Sequence, residues 1–141
     1  MTIRRILCPI DGSPGSRRAL ERALTLASAV GAVVTVLQVI EDEGPLPTYS
    51  DLPPPGADRL EWLAGQRYEP VRDALDGTAV KWTRRIEQGN APGVICDVAT
   101  EEGSDLVVIG CRGLSAAGRF LLGSGSDRVV HHAPCSVMVT R

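Results

Sequence analysis

The stretch Asp105-Leu-Val-Val-Ile-Gly-Cys-Arg-Gly113 continues, after nine further residues, into Gly123-Ser-Gly-Ser126. Its apolar residues 106–109 include three β-branched side chains in succession, a pattern typical of a strand buried on both faces of a parallel sheet. Gly110 ends this strand, and residues 127–132 predict a helix. Glycines and hydroxyls therefore lie at a strand end and at a helix N-terminus, where unpaired amides and the helix dipole favour an anion.

The spacing Gly110-x2-Gly113-x9-Gly123-Ser124 predicts a phosphate-binding site, because a Cβ at such glycines would hold a phosphate away from backbone amides. The hydroxyls of Ser124 and Ser126 are potential donors to phosphate oxygens, and Ser126 is also expected to cap the helix. Turn chemistry alone is the alternative explanation for the glycines.

Other polar side chains near these turns have two interpretations each. Arg112 and Arg119 either approach a polyphosphate or are simply solvated. Asp11 either accepts hydrogen bonds from ribose hydroxyls or helps to cap the first helix. Cys111 lies in the glycine turn, where we expect its thiol to be reachable. No metal ligands are assigned, since adjacent histidines at 131 and 132 face different sides of a helix.

Strands and helices alternate along the whole chain. The predicted strands cover residues 3–10, Val33–Ile40, 80–85, 106–109 and Ser136–Thr140, and the predicted helices cover 14–30, 58–75, 91–102 and 127–132. This order predicts a doubly wound α/β fold, in which a five-stranded parallel sheet carries helices on both faces. Asp11 and Gly110 then fall at the carboxyl edge of the sheet, where such folds bind ligands.

Composition limits the class of protein. The 141 residues predict one domain, 1–141, and the net charge of −2 gives no electrostatic reason to expect a nucleic-acid partner. The apolar run 6–10 is too short for a signal peptide or a membrane span, so we expect a cytoplasmic protein without a membrane partner. Residues 44–56 hold five prolines and predict a long loop.

Several segments together resemble the universal stress protein family over nearly the whole chain. They are Ile6-Leu-Cys-Pro-Ile-Asp-Gly-Ser13, Val36-Leu-Gln-Val39, Gly89-Asn-Ala-Pro92, Asp105-Leu-Val-Val-Ile-Gly-Cys-Arg-Gly113, Gly123-Ser124 and Ala133-Pro-Cys-Ser-Val-Met-Val139. The glycine spacing is similar to that of the ATP-binding branch of the family.

The resemblance implies a Rossmann-like fold of the adenine nucleotide alpha hydrolase type and bound ATP, usually with a divalent cation such as Mg²⁺. It implies that adenosine lies near the first two strands and that members dimerise through their last strands, here Ser136–Thr140. The implied nucleotide-binding residues are Pro9, Asp11, Val39, Ile109, Gly110, Arg112, Gly113, Gly123, Ser124, Gly125 and Ser126.

Three positions depart from the family pattern. Gln38 stands where histidine is frequent, and Ser136 stands where proline is frequent, restoring a backbone donor near the expected dimer edge. Gly125 replaces a β-branched residue, and we expect it to leave the phosphate loop looser.

The first hypothesis is a cytoplasmic ATP-binding regulator whose nucleotide state controls partner contacts. Hydrolysis, if any, is expected to be slow, because no residue stands out as a base for activating water. Autophosphorylation of Ser124 or Ser126 is a weaker conjecture. The alternative is a nucleotide-independent interaction module that uses the proline-rich loop and the last strand. An adenine-nucleotide hydrolase is the third hypothesis.

Overall fold

The computed structural model describes residues 2–41, 52–111 and 124–141. Within these residues, parallel strands form one sheet in the order β3-β2-β1-β4-β5. The strands are β1 (Arg5–Pro9), β2 (Val33–Ile40), β3 (Trp82–Gln88), β4 (Leu106–Gly110) and β5 (Ser136–Thr140). The predicted doubly wound parallel sheet is confirmed. The chain adds strands outward on one side of β1 and then on the other, so the strand order reverses between β1 and β4.

Helices connect the strands as crossovers. They are α1 (Pro14–Val30), α2 (Arg59–Tyr68), a 3₁₀ turn (Glu69–Val71), α3 (Arg72–Asp76), α4 (Ala91–Glu102) and α5 (Ser124–His132). Side chains cap two of these helices: Ser13 Oγ accepts from the Ser16 amide, and Asn90 Oδ1 accepts from the Gly93 amide. Gly31 adopts a φ of 73° after α1, a left-handed conformation that favours glycine.

Some predicted boundaries are wrong. The single helix expected over 58–75 is interrupted by the 3₁₀ turn at Pro70, because proline lacks an amide donor and its ring obstructs a helix interior. The first strand is shorter than residues 3–10, and the third strand begins two residues later than residue 80 and reaches Gln88. The last helix begins at Ser124 rather than at Asp127.

Two hydrophobic layers cover the faces of the sheet, and β1 contributes to both because successive side chains of a strand point to opposite faces. Ile6 and Cys8 pack in the layer beneath α1, α2 and α3, whereas Leu7 packs in the layer beneath α4 and α5. All three residues have at most 1% of their surface exposed. No helix in the described part of the chain is long and apolar enough to cross a membrane.

A close backbone contact joins α1 to the end of β4. A Cβ placed on Gly110 would lie 2.7 Å from the carbonyl oxygen of Gly15 and 3.2 Å from the amide nitrogen of Ser16. Both atoms belong to backbone, so neither can rotate away as a side chain would. The first turn of α1 can therefore pack against β4 only because residue 110 is glycine.

We expect Gly110→Ala to lower the free energy of unfolding by about 1–3 kcal/mol, because the methyl group forces α1 away from the sheet. Urea-induced unfolding followed by circular dichroism measures this change. Gly15→Ala is the matched control, since a Cβ there meets its nearest atom at 3.6 Å, an ordinary contact distance. Equal stability of the two variants would contradict the packing argument.

Asp105 ties the beginnings of β1 and β4 together. Its Oδ2 accepts from the amides of Arg4 at 2.8 Å and Arg5 at 3.0 Å. These hydrogen bonds favour the charged carboxylate and hold the pKa of Asp105 below its ordinary value. A lowered pKa in the folded state means that the ionised form stabilises the fold.

We expect Asp105→Asn to be less stable than the wild type at pH 7, because the amide lacks the charge that strengthens these hydrogen bonds. The difference is fully present above the ordinary aspartate pKa of about 3.9 and disappears as the pH falls through the lowered folded-state value. Thermal unfolding of both proteins between pH 7 and pH 2 tests this dependence. Asp97→Asn, an exposed charge change on α4, should show no such convergence.

Candidate functional site

A cavity of about 490 Å³ lies at the carboxyl edge of the sheet, beside the point where the strand order reverses. Residues at strand ends line one side of it: Pro9 ends β1, Val39 lies near the end of β2, and Ile109 and Gly110 end β4. Its volume falls within the range of small-molecule sites, about 300–1,000 Å³.

Three helix N-termini converge on this cavity. Gly15 and Ser16 line it from α1, Pro92 lines it from α4, and Gly125 and Ser126 line it from α5. Each N-terminus carries a partial positive charge, because the first amides of a helix have no intrahelical acceptor. Helices after parallel strands begin at the same edge, so the fold brings the three ends together.

Side chains of the same chain accept from two of the amides at the N-terminus of α1. Asp11 Oδ1 accepts from the amide of Ser13 at 2.9 Å, and Ser13 Oγ accepts from the amide of Ser16 at 3.2 Å. Pro14 has no amide hydrogen. Asp11 is therefore not the N-cap of this helix but holds the backbone of Ser13, the residue that is.

The N-terminus of α4 is satisfied in a similar way. Glu41 Oε1, at the end of β2, accepts from the amide of Ala91 at 3.0 Å, and Asn90 caps the amide of Gly93 at 3.4 Å. Pro92 again offers no donor. A carboxylate from another element thus occupies the position that an external anion would take at this helix end.

The N-terminus of α5 differs from the other two. Ser126 was expected to cap the helix, but that prediction is wrong: Ser126 is the third helical residue, and its hydroxyl donates to the carbonyl of Gly110 at 2.9 Å. Gly125 lies inside the helix, so the prediction of a loosened loop at this position is also wrong. Ser126 therefore joins the first turn of α5 to the end of β4.

Seven of the residues predicted from sequence line the cavity. They are Pro9, Asp11, Val39, Ile109, Gly110, Gly125 and Ser126. Ser124 begins α5, but its side chain lies outside what the structure describes. Arg112, Gly113 and Gly123 lie outside the described residues, as do Arg119 and most of the proline-rich segment.

Sequence reasoning missed Glu41 and Arg128, which also line the cavity. The signal for Arg128 was its spacing of four residues from Ser124, which places both on one face of a helix. In the sequence, Glu41 is the residue directly after the predicted second strand. Nothing local to the sequence indicated that its carboxylate reaches α4.

The cysteines of the sheet edge are buried. Cys111 is only 9% exposed, so the expectation of a reachable thiol there is wrong. Its backbone amide donates to the carbonyl of Thr140 at 2.9 Å. Burial raises the pKa of Cys8 to about 12, which leaves little reactive thiolate at neutral pH. All four cysteines are free thiols.

Within residues 2–41, 52–111 and 124–141, no three histidine, cysteine or acidic side chains gather to form a metal cluster. His131 Nε2 instead lies 3.3 Å from Asp127 Oδ1, one turn earlier on the exposed face of α5.

Gln38 forms a buried link on the other side of β2. Its Nε2 donates to the carbonyl of Ala64 at 2.7 Å, and its Oε1 accepts from Arg84 Nε at 2.7 Å. The Arg84 guanidinium also lies 4.6 Å from the ring centroid of Tyr68. The residue that replaces the family's frequent histidine thus joins β2, β3 and α2 and does not line the cavity.

We expect Ser126→Ala to lower the free energy of unfolding by about 1 kcal/mol, because it removes the hydrogen bond from α5 to the end of β4. Chemical denaturation measures the change. Ser136→Ala, at the exposed start of β5, is the matched control and should leave stability within about 0.5 kcal/mol of wild type. A Ser126→Ala variant as stable as the control would contradict this role for the hydroxyl.

A family model described as the universal stress protein family matches residues 2–141. A protein of Staphylococcus haemolyticus, whose name places it among universal stress proteins, is 32% identical over 148 residues, covering 100% of this chain and 86% of the relative. A Staphylococcus aureus USA300 protein of similar name is 32% identical over 146 residues with the same coverage.

Two solved structures are similar over the whole chain. The universal stress protein UspA from Lactobacillus plantarum has a TM-score of 0.74 and 28% identity, covering 100% of this chain and 99% of that one. A universal stress protein in complex with cAMP has a TM-score of 0.74 and 27% identity, with the same coverage.

Proposed function

This chain belongs to the universal stress protein family, and on that premise we propose that its cavity binds an adenine nucleotide, ATP in particular. The observation that carries the proposal is the convergence of helix N-termini on a cavity at the reversal of strand order. The cAMP bound by a similar family member supports the choice of an adenine nucleotide.

The cavity wall suits the two parts of a nucleotide. Val39, Ile95 and Ile109 provide apolar surface for a base, and the N-terminus of α5, with its partial positive charge, is proposed to bind a phosphate. Asp11 is the described carboxylate between these regions and is proposed to accept from ribose hydroxyls. Arg112, Gly113 and Gly123 are proposed to complete the phosphate site.

Mg²⁺ is proposed to accompany ATP. This cation commonly binds through substrate phosphates, water and one or two carboxylates, so it needs no dedicated protein cluster. Asp11 and Glu41 are the described carboxylates on the cavity wall, and each already accepts a backbone hydrogen bond that orients it.

We propose that nucleotide state regulates partner binding in the cytoplasm, with residues 1–141 acting as one domain. Rapid hydrolysis is not expected, because no residue of the sequence stands out as a base for activating water. Homodimerisation is proposed through β5, an edge strand of the described sheet whose Met138 is 38% exposed.

Thermal unfolding with Mg-ATP, AMP, cyclic AMP and GTP tests the proposal. A ligand at a hundred times its dissociation constant stabilises a protein by about 2.7 kcal/mol, which raises the midpoint of a domain of this size by several degrees. We expect such a rise with ATP in the wild type. Gly125→Leu should abolish it, because leucine reaches farther into the cavity beside Pro92 than valine, one of the β-branched residues frequent at this position in the family.

Gly125→Leu should itself remain folded, since a Cβ at this position meets its nearest atom, Pro92 Cγ, at 3.8 Å. Gly65→Leu is the matched control: it lies within α2, has open space around a Cβ and does not line the cavity, so it should keep the ATP response. If no nucleotide raises the midpoint of protein free of carried-over ligand, the interaction module becomes the better hypothesis. Rapid Mg-dependent turnover would instead favour a hydrolase.

A further inference from the structure

The cavity is electrostatically asymmetric. Asp11 and Glu41 line it beside α1 and the end of β2, whereas Arg128 lines it on α5. Among the described residues of the cavity wall, Arg128 is the one with a permanent positive charge. A ligand with a neutral end and an anionic end therefore has one favourable orientation with respect to these side chains.

The hydrogen bonds at the helix ends reinforce this asymmetry. Asp11 accepts from the amide of the cap residue before α1, and Glu41 accepts from the first amide of α4. The two carboxylates of the described cavity wall thus lie at the starts of α1 and α4, whereas Arg128 lies on α5. A ligand phosphate placed near α1 or α4 would instead meet carboxylates that repel it.

No described residue competes with a ligand for the side chain of Arg128. Its guanidinium makes no hydrogen bond or ion pair with another described residue, and the neighbouring carboxylate of Asp127 lies against His131. Helical side chains lean toward the N-terminus of their helix, so Arg128 extends back over the first turn of α5. Its positive charge also acts on the thiol of Cys96 in α4, which places it near the seam between the two helices.

We propose that Arg128 is a further nucleotide-binding residue, which contacts the phosphates beyond the first and so selects ATP and ADP over AMP. This inference rests on the proposed function. The first-turn amides of α5 would bind a phosphate that all adenine nucleotides carry. Arg128 lies one helical turn further, where it adds a planar, bidentate donor for the extra anionic oxygens.

Equilibrium titration of Arg128→Gln with Mg-ATP, Mg-ADP, AMP and adenosine tests the assignment. We expect the dissociation constant for ATP to rise about ten-fold or more, the size of effect typical of losing a charge-assisted hydrogen bond. AMP and adenosine should change less than about two-fold. The ATP effect should shrink at 1 M salt, since a partly exposed ion pair is screened.

Two companion variants exclude indirect effects. Arg22→Gln removes the same charge from an exposed position on α1 away from the cavity, and it should leave all four dissociation constants unchanged. Arg128→Lys keeps the charge but loses the bidentate geometry, so it should restore ATP binding only in part. Unaltered unfolding temperatures for all three variants establish that the fold is intact.

The inference is overturned if Arg128→Gln binds ATP as the wild type does, or if it loses ATP and AMP equally. Either result, in a wild type that binds ATP, leaves the proposed nucleotide function standing. A wild type that binds no nucleotide overturns both proposals together. Selective loss of ATP and ADP affinity supports Arg128 as the residue that distinguishes them.

Discussion

The contact between Gly110 and the first turn of α1 is the constraint on which the site depends. At this point backbone meets backbone, because the carbonyl of Gly15 occupies the space that a side chain at residue 110 would take. The carbonyl oxygen of Gly110 also accepts a hydrogen bond from the hydroxyl of Ser126 in α5. One peptide at the end of β4 therefore positions two of the three helices that surround the cavity, and the space between their N-termini follows from this packing.

The cavity gains its polarity from hydrogen bonds that the chain makes with itself. Asp11 and Glu41 act as internal anions at the starts of α1 and α4, where they orient backbone amides and place negative charge on one side of the cavity. The start of α5 receives no such carboxylate from the described residues. The three helix ends that surround the cavity thus differ in charge, and a charged ligand has one favourable orientation between them. Two acidic side chains, Asp11 and Glu41, cause this difference.

Local patterns predicted most of the fold but only part of the site. The β-branched run of β4 and the alternation of strand and helix patterns are local features of the sequence, so the order of elements and the carboxyl edge of the sheet could be predicted from them. The break at Pro70 also had a local cause, which the apolar periodicity outweighed in our prediction. The roles of three site residues depend on partners that are distant in sequence. The partner of Glu41 is 50 residues away, that of Ser126 is 16 residues away, and Gly15 is 95 residues from Gly110. Such contacts leave no local pattern in the sequence.

The pairing of β4 with β5 has a mechanical consequence. Gly110 is in register with Thr140, and the amide of Cys111 donates to the carbonyl of Thr140 at 2.9 Å. The backbone hydrogen bonds between β4 and β5 thus directly connect the cavity wall to the edge strand of the sheet. A displacement of β4 at the cavity cannot be absorbed by an intervening layer of side chains. It is transmitted directly, through peptide groups, to the strand at the molecular surface.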